Sequence, residues 1–209
     1  SVKLCGMYLP KHFESPDRAL TLDVMREHSF ATLTSADADG VPFATHLPVV
    51  VSDTEGTVAL HFHLARANPQ VAMLRDGRAS MVAFLGPHAY LSPKVYPDLK
   101  RVPTWNYIAV HAYGPVEEIV EAHRKDALLK SLIALHEPPY AQQWMNLDEK
   151  FQETMLGAIA AFRMTVTRLE GKFKLNQHRK EAHATMKVGY AAGTPDEQAL
   201  GHWMERLGL

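Results

Sequence analysis

Cysteine is almost missing from this chain: the 209 residues contain one, Cys5. A single thiol excludes an internal disulfide and any zinc site built on several cysteines, and it fits a reducing compartment. An excess of charge is missing too. Twenty-two lysines and arginines stand against 23 aspartates and glutamates, a net charge of −1. That balance argues against a protein whose main task is gripping a polyanion. No apolar run approaches the roughly 20 residues that a membrane span needs. The opening SVKLCGMYLP has no long apolar core of a signal peptide. The expectation is a soluble, cytoplasmic protein with no membrane partner.

Several catalytic signatures are also absent. There is no Gly-x-Ser-x-Gly elbow, no Walker loop and no Rossmann glycine pattern. Twelve histidines are present, with His61 and His63 on one strand face, but no His-Glu-x-x-His and no carboxylate at a partner spacing accompany them. No metal site is expected, and no catalytic residue is identified.

What is present is 46% hydrophobic content, enough for one sizeable domain with a real core. Ser15-Pro16-Asp17 opens a short helix to about Glu27. Residues 30–51 read as a hairpin turning at Asp37–Gly40, with Pro48 marking an edge or a bend. Thr57 to Leu64 is a further strand. Residues 79–86 form a short one that Gly86-Pro87 interrupts. The proline-rich stretch that follows reads as an ordered loop. Residues 106–120 read as one long strand. Glu121 to Glu137 and Leu147 to Ala161 read as helices, the second with a core-facing stripe of Phe151, Met155 and Ile159. Residues 162–171 return to strand. Thr194-Pro195-Asp196-Glu197 is a capping box opening a final helix with Leu200, Trp203 and Leu207. Strands that come as hairpins, with helices at the margins, predict a mainly β fold. The expected form is an antiparallel β-barrel with peripheral helices, residues 1–209 making a single domain with helical additions at about 121–161 and 194–208.

Two stretches carry candidate chemistry. In HLARANPQ, Asn68 suits an N-cap, Pro69 the first helical position and Gly77 the stop. A helix N-terminus can receive an anion, and Arg66 lies just upstream with a guanidinium fork suited to phosphate. The same residues also suit an ordinary strand-to-helix turn with a solvated arginine. In EGKFKLNQHRK, Lys172 and Lys174 project to one face of an extended segment, with Phe173 and Leu175 on the other. Such a segment could offer cations to a phosphate, or be an edge strand protected by lysines. No DNA-reading helix stands out, so direct DNA contact is not expected.

Six segments, in order, resemble one family: MYLPKHF, FATHLPVVV, HLARANPQ, GPHAYLSPKVYP, VPTWNYIAVHAYG and GKFKLNQHR. They are similar to the PaiB family of FMN-binding negative transcriptional regulators, from about Met7 to about Arg179. LNQHR departs from the family's LSQNR at Asn176 and His178. The resemblance implies a Greek-key, antiparallel, FMN-binding split barrel of the pyridoxamine-phosphate-oxidase-like kind, a homodimer with flavin between subunits. It implies phosphate-side contacts at Arg66, Asn68 and Gln70, with His63 close by. It implies Thr45 and His46 near the ring or ribityl chain, and Trp105, Asn106 and His111 lining the site. Lys174, Gln177 and Arg179 would help close it. The function implied is flavin- or redox-linked regulation. The alternatives are an FMN-dependent oxidoreductase of an unknown small molecule and a haem protein ligated by His63 or His111.

Overall fold

The computed structural model describes residues 6–98 and 100–209, so Cys5 lies outside the described residues. Among the described residues, nine strands form two sheets. They are β1 (Phe30–Ala36), β2 (Pro42–Pro48), β3 (Val50–Thr54), β4 (Thr57–Ala65), β5 (Ser80–Leu91), β6 (Thr104–Tyr113), β7 (Val116–Ile119), β8 (Ile159–Thr165) and β9 (Arg168–Lys174). One sheet runs β2-β1-β5-β6-β9 and the other β3-β4-β8-β7. The pairings β1–β2, β1–β5, β3–β4, β4–β8 and β7–β8 are antiparallel. The expected barrel is not closed: the strands make two separate sheets. Seven helices accompany them: α1 (Arg18–Glu27), α2 (Gln70–Arg75), α3 (Ala122–His136), α4 (Tyr140–Met145), α5 (Glu149–Gly157), α6 (His183–Ala191) and α7 (Pro195–Arg206). No helix among the described residues is long and apolar enough to cross a membrane.

The chain groups into two compact units. The first comprises residues up to Glu27, Leu85–His111 and Glu170–Leu209, and the second His28–Phe84 and Ala112–Leu169. In the second unit, Leu33, Leu60, Phe62, Phe162 and Met164 are fully buried. Phe62 and Phe162 face each other across β4 and β8, their rings stacked at 6.1 Å. In the first unit, Ile108, Phe173, Leu175, Met186 and Leu200 are buried, and Phe173 meets Trp203 edge-on at 5.4 Å. The capping box at Thr194 and Glu197 closes as expected.

Four sequence expectations are corrected. Strand β5 does not stop at Gly86-Pro87 but continues to Leu91. Its pairing with β1 ends at Ala83, so the missing N–H of Pro87 removes no bond from that ladder. The long strand expected over 106–120 is two strands, parted at Gly114-Pro115. A Cβ on Gly114 would lie 1.8 Å from the Thr165 carbonyl oxygen, so the backbones pass too close for any side chain. The helical region is three helices rather than two, and it ends before Ile159, which belongs to β8. Phe151 and Met155 are consequently not core residues but 47% and 38% exposed. The edge reading of Pro48 was sound: it ends β2 at the margin of the five-stranded sheet, and β3 begins at Val50 in the other.

Candidate functional site

The expected site residues fall into two groups, one in each unit. The first group lies in the second unit, where β4 passes into α2. Helix α2 has only six residues, so the anion-attracting dipole expected there is small. Asn68 lies just before it, and its Oδ1 accepts from the Gln70 N–H at 2.9 Å, spending one of the free donors of that first turn. Gly77 takes the left-handed stop conformation, with φ of +67°.

The side chains at this junction are held firmly. Asn68 Nδ2 donates to Thr45 Oγ1 at 3.0 Å. A hydroxyl that accepts there keeps its own proton to donate elsewhere. Arg66 is exposed, and its Nε and Nη2 donate to the carbonyls of Gly157 at 2.7 Å and Ile159 at 3.2 Å. These carbonyls lie at the end of α5 and the start of β8, so the guanidinium is fixed by backbone rather than by a carboxylate. It keeps its full positive charge and N–H groups on Nη1.

Gln70 is turned the other way. It is fully buried, and its amide nitrogen donates to Ser35 Oγ at 2.9 Å and to the carbonyls of Leu33 and Phe43. Thr45 and His46 are neighbours on a strand and therefore face opposite sides. Thr45 meets Asn68, whereas His46 Nδ1 lies 3.0 Å from Thr32 Oγ1 on the other face. His63 is half-buried on β4, and its Nδ1 has no hydrogen-bond partner among the described residues. Burial holds its pKa below the usual imidazole value, so the ring is neutral near pH 7.

The second group lies in the first unit, around a cavity of about 300 Å³. Asn106, Lys174 and Arg179 line it, together with Thr104, Asn176 and His178. Asn106 is fully buried and donates from Nδ2 to the Tyr190 hydroxyl at 2.8 Å. Lys174 Nζ donates to Thr104 Oγ1 at 2.6 Å. Gln177 does not line the cavity. Its Oε1 accepts from the Leu175 N–H and its Nε2 donates to the Phe173 carbonyl, so its amide is spent within its own turn. Trp105 is exposed on the outer side of β6, beside Tyr90 and His88 with ring centres 6.3 and 6.2 Å away. His111 is half-buried near the end of the same strand.

Sequence reasoning missed two contributors. Asn176 has φ of +65° and is buried, its Oδ1 accepting from the Tyr96 hydroxyl at 3.1 Å. Helix α6 supplies His183, whose Nε2 meets the Asn176 carbonyl oxygen at 3.0 Å. An asparagine beside a run of cations hints at a left-handed turn. Nothing local in HATMKVGYA signalled its helix.

The family model described as "Putative FMN-binding domain" matches residues 7–168. The chain belongs to this FMN-binding family. FMN is the cofactor that membership assigns. The chain is 33% identical over 180 residues to the protease synthase and sporulation protein PAI 2 of Bacillus subtilis, covering 84% of each chain. The PaiB likeness read from the six segments is therefore shown. Among solved structures it resembles the FAD and heme binding protein from Mycobacterium smegmatis, with a TM-score of 0.59 and 18% identity over 77% of this chain and 73% of that one. It also resembles the flavocytochrome Anf3 from Azotobacter vinelandii, with a TM-score of 0.55 and 16% identity over 77% and 69%. At such identities these likenesses concern the fold, the split barrel.

Proposed function

We propose that this protein is a flavin-linked regulator of the PAI 2 kind, cytoplasmic and homodimeric, with residues 1–209 acting as one FMN-binding domain. Its FMN phosphate is held where β4 meets α2. The observation that carries this reading is Arg66: an exposed guanidinium, fixed by two backbone carbonyls, with no ion pair to a carboxylate among the described residues. At the same junction Asn68 and its hydrogen-bond partner Thr45 add an amide and a hydroxyl proton. The donor set fits a phosphate, which asks for a planar cation and neutral donors. Bound FMN supplies redox chemistry, accepting and returning electrons; the protein's part is to hold it and tune its surroundings.

A homodimer is supported by the outer face of β5 and β6. Leu85, Tyr90 and Trp105 are 57%, 51% and 52% exposed there. Large aromatic residues left on a sheet face are typical of a surface that a partner covers. Regulation by direct DNA contact has no support in the near-neutral charge, so the regulatory link runs through a ligand or a protein partner.

Arg66→Ala tests the flavin reading. The wild-type chain should bind FMN, and the variant should bind it at least about tenfold more weakly while remaining folded by circular dichroism. Equal affinity in the two would overturn the placement of the phosphate. The visible spectrum of the purified protein tests haem ligation by His63 or His111, which would show as a Soret band. The oxidoreductase reading is favoured by one feature, a cavity able to take a small substrate, and bleaching of the flavin by a nicotinamide donor would support it.

A further inference from the structure

The cavity of the first unit carries more positive charge than its own carboxylates balance. Lys100, Arg101, Lys174 and Arg179 all line it. Arg101 is neutralised, 2.7 Å from Asp98 and 3.5 Å from Glu181. It also lies over the Tyr96 ring at 5.0 Å. Lys174 has no carboxylate partner among the described residues: its Nζ donates to Thr104 Oγ1 and lies 5.9 Å from the centre of the Tyr107 ring. Arg179 and Lys100 have no side-chain partner among the described residues. Three further cations thus line one concave space with no ion pair of their own among the described residues.

The inner wall adds a second and independent observation. Asn106 Oδ1 is buried and accepts no hydrogen bond among the described residues. A buried acceptor left alone costs roughly 1–3 kcal/mol, and native proteins rarely tolerate it without a purpose. The amide also works reversed. Tyr190 is held in its protonated form, burial pushing its pKa up to about 12. With Oδ1 turned to Tyr190, the phenol donates and Nδ2 is freed. Either way the wall presents one unspent polar atom.

The turn bearing the cations is built rather than loose. Asn176 holds its left-handed conformation through Tyr96, through Met186 Sδ at 3.4 Å and through the His183 contact to its carbonyl. The same carbonyl accepts the Arg179 N–H at 2.9 Å. His178 packs against His12 at 5.0 Å and Phe13 at 5.7 Å. Burial, then His12 and Arg179, keeps its pKa low, so it faces the cavity as a neutral ring.

We infer that this cavity binds a small organic anion, its carboxylate or phosphate held by Arg179 and Lys174 and a second polar group met by Asn106. All of its lining residues belong to one unit, and the inference rests on the reading that the FMN phosphate lies at Arg66 in the other, which frees Asn106, Lys174 and Arg179 from the flavin role the resemblance implies. About 300 Å³ admits a metabolite-sized molecule and not a polymer.

Calorimetric titration of the full chain, saturated with FMN and at low salt, tests this. The probes are inorganic pyrophosphate and citrate, which separate phosphate from carboxylate preference. At least one should bind with Kd below about 1 mM. Arg179→Gln and Lys174→Met should each weaken it at least about tenfold, with the melting temperature and FMN affinity unchanged. Arg66→Ala should weaken FMN and leave the anion bound. Asn106→Asp adds a negative charge to the wall and should abolish anion binding, with circular dichroism reporting that the chain is folded. Neither probe binding at about 10 mM would overturn the inference. So would loss of FMN rather than of the anion in Arg179→Gln, which would make this the flavin's own phosphate site.

Discussion

The amide nitrogen of Gln70 lies 2.9 Å from the hydroxyl oxygen of Ser35, and both residues are buried. The same nitrogen reaches the carbonyls of Leu33 and Phe43, and so ties α2 to β1 and β2. Gln70→Leu keeps the bulk but strands these acceptors. It should cost about 2–4 kcal/mol in denaturant unfolding. Gln70→Glu should cost more, because a carboxylate would face acceptors in a dry setting. A loss below about 0.5 kcal/mol for the leucine variant would mean that the contacts carry no stability.

Gly114 and Gly40 separate two reasons for needing glycine. At Gly114 an added Cβ meets the Thr165 carbonyl oxygen at 1.8 Å. The obstacle is backbone, which cannot swing aside, so Gly114→Ala should cost more than about 3 kcal/mol. At Gly40 the space is open and the difficulty is φ of +82°. Gly40→Ala should cost about 1 kcal/mol, the ordinary penalty of left-handed backbone. Denaturant titrations of both variants check the order, and equal losses would contradict it.

The exposed aromatic face gives a prediction about assembly. Trp105→Glu places a charge beside Tyr90 and His88. If this face joins two copies, the dimer should weaken more than about 100-fold, read by sedimentation velocity, with the monomer still folded. A wild-type chain that sediments as a monomer, or a variant that remains a dimer, removes the face from that role.

The fold was legible where the signal was local. The alternation of Phe62 and Leu64 with His61 and His63 placed β4, and the Thr194 capping box placed α7. It failed where a long-range contact decided. Gly86-Pro87 reads as a stop, yet the strand continues past it, where the β1 ladder has already ended and the proline breaks no bond of it. Ile159 continues a four-residue stripe, yet pairing with Ala65 of β4 draws it into a strand. For the candidate site, residue type was visible and direction was not. HLARANPQ names both Arg66 and Gln70, but no spacing says that one faces out and the other is sealed beneath β1 and β2. Lys172 and Lys174 do share a face, as alternation requires. Only the structure shows Lys172 spent on the Tyr8 carbonyl at 2.8 Å while Lys174 reaches the cavity.

Acid should destabilise the protein in two separate windows. His61 and His63 both have pKa values held below 6.5; burial is the leading cause, and Arg163 and Arg124 add to it for His61. A folded-state pKa below the unfolded one means that the unfolded chain binds more protons, so stability rises with pH. The contribution is complete above about pH 6.5 and is lost as pH falls from there through the lowered folded values. Glu118 behaves in the same sense but lower. The Arg75 hydrogen bonds at 2.7 Å hold its carboxyl below 4.5, so its contribution fades only as pH falls beneath that value. Melting temperatures across pH 4 to 8 should therefore show a first decline starting near pH 6.5. His63→Leu should make that decline shallower, with His61 and His178 supplying the rest, and leave the lower one in place, because only imidazoles titrate in the upper window. An unchanged upper decline in the variant would show that His63 protonates as readily in the folded chain as in the unfolded one.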